Sequence, residues 1–231
     1  MQNQDIQELL EHAQAEISSI SEQSRNGAIN KVALKNTLEN LRSVLDYAAQ
    51  DIRSKLKAHI GNKVPEKVYF PYGQREDLFK QSVNRNLPNL LEHVPSIYSL
   101  VQSMQSFKSG DPWLVDLCGL TNDAKHNNLS KTEHEKSRVI YQGGMAFIEI
   151  VGEVSQVAIT GNRVNGVLQD DVFIGPDGTT RISPVSGQTL IIENNKIQFH
   201  GKQIEVVPFL NACHKNLSKF ADDLARELER V

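Results

Sequence analysis

The stretch Leu120-Thr121-Asn122-Asp123-Ala124-Lys125-His126-Asn127-Asn128 is the densest cluster of potential chemistry in this sequence. It sets an amide, a carboxylate, an amine and an imidazole at the end of an otherwise apolar helix. An imidazole there could take or give a proton, and its neighbours could bind a ligand. The same residues also have a plain structural use. Asn127 and Asn128 suit a left-handed helix C-terminus. Lys125 and His126 suit the negative end of the helix dipole, and Asp123 can pair with a neighbour. A second candidate is Tyr69-Phe70-Pro71-Tyr72, whose rings could stack on a base or line a pocket, or simply pack over helices. The candidate ligand-binding set is therefore Asn122, Asp123, Lys125, His126, Tyr69 and Tyr72.

Other constellations carry less. Cys213-His214 resembles a nucleophile beside a base, but adjacent helical residues diverge by about 100°. Cys213 also falls on an apolar stripe, so it is expected in the core. The carboxylate pairs Asp170-Asp171 and Asp222-Asp223 are adjacent in sequence, whereas glycosidase chemistry needs two carboxylates set across a cleft. His12, His59, His93, His134 and His200 show no metal-ligand spacing, and the two cysteines, Cys118 and Cys213, offer no zinc motif. No metal is expected. There is no phosphate-binding glycine loop, and no cofactor is expected.

These residues need elements to position them. Ile6, Leu9, Leu10, Ala13, Ile17 and Ile20 recur at helical spacing, which predicts a helix over about 4–24 that stops at Gly27. Leu34, Leu38, Leu41, Leu45, Ala48, Ile52 and Leu56 form a near-heptad stripe, which predicts a second helix over about 28–60. That helix would span about 50 Å and needs partners, so an antiparallel bundle follows. Pro65 and Pro71 forbid helix continuation, so Val68 to Gly73 is an extended link. Shorter helices are expected near 74–86, 88–93 and 95–107. Asp111-Pro112 then predicts a capped helix to about Asn127. A charged linker over Ser130 to Ser137 follows. Val139 to Tyr141, Met145 to Val151, Leu190 to Ile192, Ile197 to Phe199 and Ile204 to Val206 read as short strands of an antiparallel meander. Leu210, Cys213, Leu217, Phe220, Leu224 and Leu228 form the stripe of a last helix over about 208–230. The fold class is therefore α+β: a helical bundle over 1–130, a β-rich insertion over 137–207, and a C-terminal helix returning to the bundle.

Composition narrows the function. The chain has 231 residues, 39% of them hydrophobic and 23% charged, with a formal net charge of −3. Residues 1–136 hold 16 basic and 17 acidic side chains and the rest hold 9 and 11, so neither part is basic. Broad phosphate neutralisation, as RNA binding requires, is disfavoured. No stretch approaches the roughly 18 apolar residues of a membrane-spanning helix. The polar N-terminus argues against a secretory signal, so the expected location is the cytoplasm.

The long leading helices, the Tyr-Phe-Pro link and the helix ending in Asn122-Asp123-Ala124-Lys125-His126 resemble the HEPN-like helical domains of prokaryotic defence and toxin systems, over roughly residues 1–130. The resemblance implies an arginine, a polar residue and a histidine that together cleave RNA. His126 would be the histidine, Asn122 the polar residue, and Lys125 a supporting group. Thr121 stands where the arginine would, and threonine cannot stabilise a developing phosphorane as a cation does. The expected function is therefore a non-catalytic binding protein that recognises a protein or a small ligand, in a phage–host defence setting. One alternative is a HEPN-type ribonuclease using His126. Another is a scaffold that forms homo-oligomers by burying its two long stripes against a second copy.

Overall fold

A computed structural model describes residues 3–126, 132–152, 156–185 and 188–230, with the backbone alone at Asn62, Lys125, His126, Asn194 and Asn195. The chain is α+β and divides into two units. One comprises residues 1–132 with 199–231, and the other residues 133–198.

The helical unit begins with α1 (Gln4–Arg25), whose Asn3 cap accepts from the Asp5 N–H at 3.0 Å. Ile6, Leu10, Ala13, Ile17 and Ile20 bury its stripe, and Gly27 leaves the helix at φ 77°. The central element is α2 (Lys31–Ile60). Asn30 caps it by accepting from Val32 and Ala33, which sets the start three residues beyond the sequence expectation. All seven stripe residues from Leu34 to Leu56 are fully buried. Thr37, Val44 and Ala49 are buried beside them. The buried face is wider than the heptad seam because α2 packs on four other α-helices of its unit, α1, α4, α7 and α8.

Short helices follow: α3 (Glu76–Asn86), α4 (Leu90–His93), α5 (Pro95–Ser103), α6 (Ser106–Ser109) and α7 (Trp113–His126). Asp111 caps α7 as its sequence predicts, its carboxylate accepting from the Trp113 N–H at 3.0 Å. The last helix, α8 (Val206–Arg230), packs on α1, α2, α5 and α7. It starts at Val206, where the sequence suggests the end of a strand at 204–206. Pro208 falls in its first turn, where no helical N–H is lost.

The second unit carries β1 (Thr132–Gln142), β2 (Met145–Val151), β3 (Val157–Ile159), β4 (Arg163–Val164), β5 (Val167–Leu168), β6 (Asp171–Ile174), β7 (Thr180–Ser183) and most of β8 (Thr189–Phe199). The strand orders are β2-β1-β8, β3-β6-β7 and β4-β5. Two expectations change here. Residues from Thr132 onward are strand where a charged linker was expected, because β8 returns to pair with β1. Leu190 to Ile192 and Ile197 to Phe199 belong to one long strand, so Asn194-Asn195 is not a turn. Ile140, Ile150, Ile159, Val172 and Ile174 form this unit's core. Asp170 is buried and accepts from the backbone N–H groups of Val185 at 2.6 Å and Thr189 at 3.2 Å.

Candidate functional site

The link between α2 and α3 positions the site, and side chains clamp it along its length. Gln50 donates to the Val68 carbonyl at 3.2 Å, and Arg53 to the Pro65 carbonyl at 2.6 Å. Asn86 accepts from the Tyr69 N–H at 3.0 Å. Gln105, fully buried, accepts from the Gly73 N–H at 3.1 Å and donates to the Pro71 and Val101 carbonyls at 3.3 and 2.9 Å. Phe70 buries its ring edge-on against Phe220 of α8, with 5.4 Å between centroids. Tyr72, between these anchors, is therefore held in place by its backbone neighbours.

Tyr72 lies half-buried among polar groups from two helices. The Arg42 guanidinium of α2 sits over its ring, 5.1 Å from the centroid. The Asn122 side chain of α7 lies near the Tyr72 hydroxyl. Arg42 also donates to the Cys118 sulfur of α7. Its second arm faces Asp46 at 3.7 Å, an ion pair too long for a hydrogen bond. One Asp46 oxygen, Oδ1, is buried with no hydrogen-bond partner. Arg42 is largely buried, with 13% of its side chain exposed. The result is a cation held by a π face, a sulfur and a slack counter-ion.

Burial pushes the Tyr72 hydroxyl above its usual value, with the Arg42 charge and the Asn122 amide opposing it. Burial likewise pushes the Cys118 thiol up to about 11, against the opposing pull of Arg42. A thiol at about 11 is thiolate in only about one part in ten thousand at neutral pH. Cys118 thus accepts from Arg42 as a buried, protonated thiol under those conditions.

The expected site residues divide. Tyr72 and Asn122 meet. Asp123 lies exposed on α7. Tyr69 is 60% exposed on the link, and its ring is not part of the Arg42 cluster. Lys125 and His126 end α7, but their side chains lie outside the described residues, as do Asn127 and Asn128. Thr121 is buried and donates to the Leu117 carbonyl at 2.7 Å, so it points into the helix packing. Arg42 and Cys118 were not among the expected site residues. Their one legible signal is spacing, since Arg42 with Asp46 and Cys118 with Asn122 are each one helical turn apart.

Elsewhere, Cys213 is fully buried, while His214 reaches the Leu10 carbonyl at 3.0 Å and ties α8 to α1. The two side chains serve different neighbours. Among the described residues no helix is long and apolar enough to cross a membrane, and no group of three or more His, Cys, Asp or Glu could hold a metal. Comparison with protein-family models, with curated proteins and with solved structures finds no match to this chain.

Proposed function

We propose that the chain is a non-catalytic binding protein that recognises a protein or small ligand at the polar cluster around Tyr72 and Asn122. The observation that supports this is the Arg42 guanidinium. It is held in place by Tyr72 and Cys118 yet only loosely matched by Asp46 at 3.7 Å. Such a cation is arranged before any ligand arrives, so little ordering cost remains on binding. The buried, protonated Cys118 thiol favours recognition over covalent chemistry. The phage–host defence setting rests on the HEPN-like resemblance alone. Purification of the full chain from its native host, with mass spectrometry of what co-elutes, tests the reading. The ligand should be retained by the wild type and lost from Asn122→Ala and Arg42→Met. A ligand retained equally by both variants would place its site elsewhere.

One observation favours a second reading, a HEPN-type ribonuclease. Arg42 of α2 lies over the Tyr72 ring, the Asn122 side chain lies near the same tyrosine, and Asn122 stands one turn before His126 on α7, which supports a cation supplied from another helix in place of the one absent at Thr121. In that reading wild type cleaves RNA, and both His126→Ala and Arg42→Ala abolish cleavage. Intact RNA after incubation with wild type would dismiss it. The scaffold alternative loses its motive. The stripe of α2 is fully buried within the chain, and that of α8 is buried from Leu210 to Leu224.

A further inference from the structure

A groove of about 470 Å³ opens in the helical unit where the start of α1, the last third of α2 and the end of α8 come together. That size falls in the roughly 300–1,000 Å³ range of small-molecule sites. Its apolar wall includes Ile6, Ala221, Leu224 and Leu228. Its polar side carries Asp51 and Lys55 of α2. These two are one helical turn apart, the spacing at which an acid and a following lysine usually pair. Among the described residues no ion pair joins them, and both line the groove. The Asp51 carboxylate is held instead by the neutral Asn3 amide, which donates to both oxygens at 3.0 Å. The groove therefore offers a half-buried anion, a cation one turn away, and an apolar wall facing both.

From this geometry we propose that the groove binds a free apolar α-amino acid as a zwitterion, its ammonium on Asp51, its carboxylate on Lys55 and its side chain against Leu224 and Leu228. The charge order on α2 sets the ligand's orientation. Neither a simple amine nor a simple carboxylic acid satisfies both groups. Burial holds the Asp51 carboxyl above the usual carboxylate range, and the nearby Asp5 adds to this. A ligand ammonium supplies the opposite charge that the Asn3 amide does not. Because Asn3 also caps α1, ligand bound here braces the start of that helix. This site shares no residue with the Tyr72 cluster and does not depend on the function proposed for it.

Calorimetric titration of the full chain with L-leucine tests the proposal. Three analogues run beside it: N-acetyl-L-leucine lacks the ammonium, L-leucinamide lacks the carboxylate, and glycine lacks the side chain. One saturable leucine site is expected, with each analogue weaker by about tenfold or more, the scale of one lost charged or apolar contact. Asp51→Asn should erase the preference for leucine over N-acetyl-L-leucine. The analogue series on wild type decides the matter even where Asp51→Asn impairs folding. No heat of binding at about 10 mM leucine, a concentration that would reveal even a millimolar site, overturns the proposal. Equal binding of leucine and leucinamide also overturns it, because Lys55 would then have no part.

Discussion

At the residue scale, the site depends on small backbone and electrostatic details. A Cβ built on Gly73 would sit 2.5 Å from the Phe79 amide nitrogen, closer than any side chain tolerates. Gly73→Ala should therefore shift the link and cost about 1–3 kcal/mol, the usual scale of overpacking. Chemical denaturation would measure the cost, and Tyr72 should become more exposed. Cys118 gives a pH prediction. Its folded thiol titrates near 11 against an ordinary 9.0, so the folded state holds a proton that the unfolded state releases first. That stabilisation is complete below about pH 9 and is lost as pH rises through about 11. Cys118→Ala should lessen the fall in stability over that window, seen in denaturation midpoints taken from pH 8 to 11. Unchanged pH dependence in the variant would contradict the assignment. Only part of this site was legible in sequence. Tyr72 and Asn122 stood out as polar or aromatic residues in unusual settings. Arg42 did not, because a lone arginine on a charged helix face looks solvated until the fold brings Tyr72 beneath it. Thr121, at the position the resembled family gives to its arginine, has its hydroxyl satisfied inside the helix packing.

At the element scale, periodicity read the helices well because each has one strong apolar face. The stripes of α1, α2 and α8 are the faces that bury. Strands were harder. Asn194-Asn195 has turn chemistry, but pairing with β1 carries the strand through it. Val206 is β-branched yet starts a helix, where it is fully buried. Local propensity is a weak prior when tertiary packing competes with it. The link between α2 and α3 depends on Gln105, whose amide satisfies three backbone groups. Gln105→Ala strands buried donors and acceptors at about 1–3 kcal/mol each. We expect lower stability together with weaker binding at the Tyr72 cluster, since both follow from a loosened link. Thermal melts and binding assays on one preparation check the two effects together.

At the scale of the whole molecule, two cores lie on one chain, and each can be addressed separately. Leu41→Ala opens a cavity in the helical unit and should cost about 2–5 kcal/mol. Asp170→Ala leaves the Val185 and Thr189 N–H groups without their carboxylate in the β unit. Amide hydrogen exchange read peptide by peptide should show each variant loosening its own unit first. Equal loosening of both units by both variants would mean that they unfold as one.

The return of α8 has a consequence for how the protein is made. Residues of α1, α2 and α7 leave the ribosome well before Val206, with the whole β segment synthesised in between. Until α8 arrives, the apolar faces it will cover stay open to water, including Phe70, which awaits Phe220. The helical unit, although its first helices precede the β segment, is thus completed only after that segment is made. The nascent protein must carry an unfinished core while the β segment is translated, and a ribosome stalled before residue 206 would leave a chain with that core exposed to aggregation or chaperone capture.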